Sequence, residues 1–416
     1  MSFNRNPSGR NQHGTVPKSN DPLLRSALEK YHRERVTNNV KISARLAREY
    51  NIAMTEYSVK RRRKELGFLS GRYAVKELTW QEMAQLILDV LDEDPTNGWG
   101  VGNVQARVAF KHATHLPKQV VSDVMHTYAP EGFEKREPGA QRIVRVPKVP
   151  VGIHKRWAAN GHDKLYSIGF PIWAIVDDAT GKWLGAWVVP SNRMSNVVAY
   201  LFLSTVEKYE GLPLQFSTDC GSETTGVYGL MNALREAYHP EIDPSILRAH
   251  EYVWSVHNIS IEQSWLRLRL DWGNNAVPKF HEGAEQGIYD SNDPEQYELG
   301  QWLWSRLLQQ ELDQFVEFRN GARMRKDAQK AGPSGMSRNE AFSLYKTWGG
   351  RDCLLPVDCT PIKELKEELG GETLLQFVSD EYALRAESVL DNLGVAQVTM
   401  QNVWDVFQDM LRAFCM

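Results

Sequence analysis

The sequence predicts an α/β domain built on a mixed five-stranded sheet, with all-helical units before it and a helical region after it. Three observations carry this. Between Trp157 and Leu270, extended and helical patterns follow in the order strand, strand, strand, helix, strand, helix, strand, helix. Before residue 150 and after residue 300, apolar residues recur mainly at helical spacing. A chain of 416 residues also exceeds what one hydrophobic core usually organises. The composition, 42% hydrophobic and 24% charged, excludes a mostly disordered chain, a collagen repeat and a coiled-coil rod. No apolar run is long enough to span a membrane. Four cysteines (Cys220, Cys353, Cys359, Cys415) form neither a disulfide framework nor a metal knuckle, which suits a reducing compartment, cytosolic or nuclear.

Residues 1–20 are polar and read as a disordered leader. A first helical unit, 21–75, opens at Asp21-Pro22 with Leu23, Leu24, Ala27, Leu28 and Tyr31 on a helical pattern. Ile42, Leu46, Ala47 and Tyr50 mark a second helix, which Asn51 ends in a left-handed turn. Thr55 caps a third, running to Leu66 and carrying Lys60-Arg61-Arg62-Arg63-Lys64. Helix, tight turn and basic helix is the helix-turn-helix order that enters a major groove. These five cations are therefore the expected DNA contacts; a solvated face and a nuclear-import signal are the other readings of the run. A second, less basic three-helix unit spans 76–132, and a proline-containing basic linker spans 133–152. Residues 1–150 hold 25 Lys and Arg against 16 Asp and Glu, a charge of +9, leaving −12 for the rest. A polyanion would meet the N-terminal third first.

In the middle segment, 153–320, the expected strands are Lys164–Ile168, Phe170–Val176, Lys182–Val189, Leu214–Thr218 and His250–Trp254. Asp177 to Gly181 is a hairpin turn, and Met194 to Tyr209 is a strongly amphipathic helix. Asp219 ends the fourth strand, where open α/β sheets keep their sites. Glu262 sits early on the helix Asn258–Leu270, with Arg269 two turns further along the same face. Carboxylates converging from separate elements are what a site holding hard divalent cations requires. Residues 321–416 begin as a basic loop and continue as a helical accessory domain with no chemistry of its own.

These residues carry a resemblance. The stretches Trp157-Ala158-Ala159-Asn160-Gly161, Thr218-Asp219-Cys220-Gly221-Ser222-Glu223 and Asn258-Ile259-Ser260-Ile261-Glu262 occur in the order found in integrase cores. The segment from about Trp157 to Leu312 resembles the integrase catalytic core of retrovirus-like and fungal DDE transposases. The resemblance implies a ribonuclease-H-like fold, a double-stranded DNA substrate, Mg²⁺ or Mn²⁺, a homo-oligomer and a nuclear location. It implies catalytic acids at positions 160, 219 and 262, with Asp219 and Glu262 as metal ligands; Arg269, by its helical spacing from Glu262, is expected to hold substrate phosphates beside them. Position 160 is Asn, however, where the family has Asp. Losing that charge is expected to cost on the order of 10³-fold in rate, about 4 kcal/mol of transition-state stabilisation. Asp163 and Asp177 are the candidate substitutes. Three functions follow: DNA integration by metal-dependent strand transfer, impaired by Asn160; a catalytically inactive DNA-binding, chromatin or regulatory protein; or an RNA-processing or structural protein on the same scaffold.

Overall fold

A computed structural model describes residues 17–68, 70–94, 98–128, 149–253 and 258–414. They fall into two compact units, one within 1–93, 99–140 and 321–323, the other within 94–98, 141–320 and 324–416. Most of the leader and of the basic linker, with Arg136, Arg142, Arg145 and Lys148, lies outside the described residues, as does Cys415. None of the described helices is long and apolar enough to cross a membrane.

The first unit is all helical. Helix α1 (Pro22–Arg33) starts where the Asp21 carboxylate accepts the Leu24 N–H at 2.8 Å. Helix α2 (Asn39–Tyr50) ends at Asn51, whose φ of +53° turns the chain. Helix α3 (Glu56–Glu65) is capped by Thr55. Leu24, Leu28, Tyr31, Ile42, Leu46 and Val59 close one small core. Arg45 is buried within it, paired to Glu34 and Glu49 and lying 4.2 Å over the Tyr31 ring. A second core, holding Ile87, Val90, Val104, Val108, Val121 and Val124, joins helices α5 (Trp80–Leu91), α6 (Val101–His112) and α7 (Lys118–Tyr128). A short helix not expected from the sequence, α4 (Gly71–Glu77), precedes them.

The second unit is built on strands β1 (Trp157–His162), β2 (Ile172–Asp177), β3 (Trp183–Val188), β4 (Phe216–Thr218) and β5 (His250–Tyr252), ordered β3-β2-β1-β4-β5. β1 runs antiparallel to β2, with Asn160 opposite Ala174, and parallel to β4, with Trp157 opposite Phe216. β2–β3 is antiparallel and β4–β5 parallel, so the sheet is mixed as expected. The first strand corrects the sequence reading. Lys164–Ile168 is not a strand but part of a 3₁₀ turn, Asp163–Ile168, and the strand lies before it. Leu165 and Ile168, three apart and both buried, follow the 3₁₀ period rather than the period of two.

Residues along β1 and β2 alternate between two cores. Trp157, Ala159, Trp173 and Ile175 face helices α8 (Ser195–Tyr209) and α9 (Thr225–Tyr238). Ala158, Ile172, Ala174 and Val176 face helix α10 (Ile259–Leu268) and the 28-residue helix α12 (Pro294–Gly321). Between them the chain passes through a π-turn, Arg269–Gly273, into helix α11 (Asn274–Glu285), which contains Pro278. The sequence reading stopped this helical run at Leu270.

The C-terminal segment is not a separate accessory domain. Residues 324–416 belong to the same compact unit as the sheet. Val403, Trp404, Phe407 and Met410 complete one core and Ile362 the other. Gly152–Ile153 pairs with Arg351–Asp352, and Gly211–Leu212 with Leu355–Pro356. Trp404 donates its indole N–H to the Lys279 carbonyl at 2.8 Å. Its ring lies so close to Gly283 that a Cβ there would come within 2.3 Å, which is why no side chain fits at that position.

Candidate active site

The site forms where β1, the end of β4 and the start of α10 meet. Asn160 lies on the face of β1 that also carries Ala158 and His162, because side chains alternate along a strand. Asp219 follows the last residue of β4. Its backbone carbonyl accepts the Gly221 N–H at 3.1 Å and the Thr224 hydroxyl at 3.3 Å, which holds the turn. Glu262 stands in the first turn of α10, where the helix dipole favours a carboxylate. Ser260 fixes that helix start by donating to the Asp178 carbonyl at 3.3 Å.

The structure brings the three positions together. Asn160 Nδ2 donates to Asp219 Oδ2 at 3.2 Å and to Glu262 Oε1 at 3.4 Å. Two acceptors on one nitrogen are necessarily near neighbours. Asn160 Oδ1 accepts the Gly161 N–H at 2.8 Å, so the amide presents its donor face to both acids. The second oxygen of Asp219 accepts from Asn258 Nδ2 at 3.3 Å. The Glu262 carboxyl is pushed above the usual carboxylate range by burial and then by the adjacent Asp219, with the Asn160 hydrogen bond opposing. Negative charge is therefore under-compensated here.

Asn258, which the sequence pattern contains without marking it as functional, is a further residue of the site. It is buried, and its amide also reaches the Ala159 carbonyl at 3.5 Å, tying α10 to the sheet. The four-residue spacing from Asn258 to Glu262 was the available signal.

The two candidate substitutes differ in placement. Asp177 ends β2 opposite Trp157 and is fully buried. Its carboxylate accepts from the His154 N–H at 2.9 Å, the Thr180 N–H at 2.9 Å and the Thr180 hydroxyl at 2.7 Å. Burial pushes its pKa up to about 6. It is a turn-holding group, engaged at the hairpin. The backbone of Asp163 opens the 3₁₀ turn after β1; its side chain lies outside the described set.

Beyond the acids, His162 stacks on Trp265 with ring centroids 4.7 Å apart and planes 11° apart. Arg269 lines a cleft of about 510 Å³ with His162, Leu268, Trp272, Val277 and Pro278, immediately beyond Glu262 along the helix. In the first unit, the basic run on α3 divides. Lys60, Arg61 and Lys64 are exposed. Arg62 donates to the Pro17 carbonyl at 3.1 Å and pairs with Glu65 at 2.9 Å. Arg63 donates to the Thr37 carbonyl at 3.0 Å and to Asn39 Oδ1 at 2.8 Å, bracing the start of α2.

Two carboxylates with one amide are a donor set for a single hard cation rather than a bridged pair. Among the described residues, no three His, Cys, Asp or Glu side chains form a group that would hold a metal ion. No curated protein matches the chain. Residues 147–343 do match the family model for the integrase core domain, a family generally dependent on divalent metal. That span encloses the whole five-stranded sheet together with Asn160, Asp219 and Glu262, and the chain thus carries an integrase core with the ribonuclease-H-like fold.

Proposed function

We propose that the protein binds double-stranded DNA and performs metal-dependent strand transfer that is impaired by Asn160. The observation behind this reading is the amide of Asn160 between Asp219 and Glu262, where the family places a third carboxylate. A bound Mg²⁺ or Mn²⁺ would polarise a phosphoryl oxygen of the DNA. Asp219 and Glu262 would hold it, and Asn160 would contribute its amide oxygen after turning over. Arg269 would position a substrate phosphate beside them, since it follows Glu262 by two helical turns. The exposed cations Lys60, Arg61 and Lys64 would hold the duplex backbone from the N-terminal unit. A DNA substrate fits a nuclear location, and strand transfer at paired DNA ends fits a homo-oligomer.

A second reading is a catalytically inactive DNA-binding or regulatory protein. It is favoured by the hydrogen bonds of Asn160 and Asn258 to the two oxygens of Asp219, which satisfy that carboxylate without a cation. Joining and nicking of a labelled short duplex in Mn²⁺ separates the two. Weak wild-type activity that Asp219→Asn abolishes supports the impaired enzyme. Unaltered DNA binding with no cleavage by wild type supports the inactive protein.

A further inference from the structure

The face of α10 away from the acids carries a different concentration of charge. Arg267 follows Glu262 by five residues, which places it about 140° around the helix. Arg319 comes from the end of α12, and Arg338 opens helix α13 (Arg338–Ser343). Asp271 in the π-turn lies 3.5 Å from Arg319 Nη1 and acts electrostatically on Arg338, while Arg267 lies within electrostatic reach of both arginines. Arg338 Nη1 donates to the Arg319 carbonyl at 3.0 Å, and the buried Arg319 Nε has no acceptor. Arg267 is exposed and has no carboxylate partner among the described residues.

Positive charge is therefore in surplus. Burial, then Arg319 and Arg267, push Arg338 down to about 9. Arg319 is also pushed down, by burial and by Arg267, against the pull of Asp271. A guanidinium stays protonated in a protein, so such depression records the cost of burying like charges side by side rather than a lost proton. The loop between α12 and α13 adds the exposed Arg325, Lys326 and Lys330. Converging planar guanidinium groups match the oxygens of a phosphate, each able to donate two parallel hydrogen bonds.

We propose that Arg267, Arg319 and Arg338 form a phosphate-binding site separate from the acidic site. It takes one phosphate group, from a DNA backbone or as free phosphate. The assignment does not depend on the acidic site being active.

The test uses the full chain with EDTA. Thermal unfolding is compared in sodium phosphate and in sodium chloride of equal ionic strength. Phosphate should raise the wild-type Tm by roughly 2–4 °C. The rise should vanish in Arg267→Gln, an exposed position that leaves the fold intact, and return in part in Arg267→Lys. Binding of a short duplex across salt concentrations identifies the source. A DNA backbone phosphate is assigned if Arg267→Gln weakens binding several-fold and lowers the salt slope by about one. Free phosphate is assigned if the thermal response is lost while DNA binding stays unchanged. Absence of the phosphate response in wild type, or its full retention in Arg267→Gln, overturns the proposal.

Discussion

Replacing Asn160 by Asp changes one atom type at the centre of the acidic site, and the geometry sets the consequence. The amide nitrogen now stands 3.2 Å from Asp219 Oδ2 and 3.4 Å from Glu262 Oε1, donating to both. An oxygen in its place loses two hydrogen bonds, each worth about 1 kcal/mol. It also meets two like charges, at between about 1 and 4 kcal/mol per pair depending on screening. Glu262 is desolvated on the side of its carboxyl that faces Asp219 but keeps much of its side chain in solvent, so the lower part of that range applies to its pair. In EDTA at pH 8, Asn160→Asp should therefore lose ~4–7 kcal/mol of stability, less the part of the repulsion that proton uptake relieves. Millimolar Mn²⁺ should return that stability, because a cation now has three carboxylates. Wild type should respond far less. Nicking of labelled duplex should rise by on the order of 10³-fold over wild type. The decisive measurements are Tm in EDTA and Mn²⁺ alongside the nicking rate. Equal stability of the two proteins in EDTA would refute the placement of the amide between the acids. Strong wild-type cleavage that Asp219→Asn removes and Asn160→Asp leaves unchanged would refute the impairment.

Lys60→Ala with Arg61→Ala and Lys64→Ala should weaken binding to many DNA sequences alike and reduce the salt slope by about three without lowering Tm. Arg62→Ala and Arg63→Ala should instead cost stability, read by thermal unfolding, because they remove the contacts to Pro17, Thr37 and Asn39. Asp177→Ala leaves three donors unsatisfied in a buried site and should cost ~3–5 kcal/mol, whereas Asp177→Asn in the folded protein should leave Mn²⁺ binding by calorimetry unaltered. His250, buried against Thr218, has its pKa pushed down to about 4, so the native state takes up this proton later than the unfolded chain. Its contribution is intact above the ordinary value of 6.5 and is lost as the pH falls toward 4, by ~3 kcal/mol at about 1.4 kcal/mol per pH unit. The stability gap between wild type and His250→Asn should shrink by that amount between pH 7 and 4; a constant gap counts against it. Arg269→Ala should reduce protection of DNA bound at the core in footprinting, whereas unchanged protection would leave Arg269 as a cleft-lining residue only.

What could be read from the sequence was what local pattern encodes. Asp219 stands at a strand end before a glycine turn and Glu262 on a helix start, and both positions are visible in a few residues of text. The strand carrying Asn160 was harder to place. Ala158-Ala159-Asn160-Gly161 contains no β-branched or aromatic residue, and its extended form comes from neighbours on both sides, β2 and β4. The basic run showed the charge of α3, but not that Arg63 reaches back to Thr37 and Asn39. Arg267, Arg319 and Arg338 are far apart in the chain, and no periodicity joins them. In the C-terminal helices the apolar faces were legible, while the surfaces they cover belong to distant segments.

Trp404 fits a space that Gly283 leaves open, and this separates what is recognisable from what is self-sufficient. The span that matches the integrase family ends at residue 343, yet side chains beyond it fill both sides of the sheet. A gene copy interrupted after that point would still be identified as an integrase core by its text. Its product would expose the surfaces that Ile362, Trp404, Phe407 and Met410 normally cover, and would be a substrate for proteolysis rather than a minimal integrase. Fragment designs for expression, and judgements about which copies of such a gene remain intact, therefore need the reading frame through Phe414.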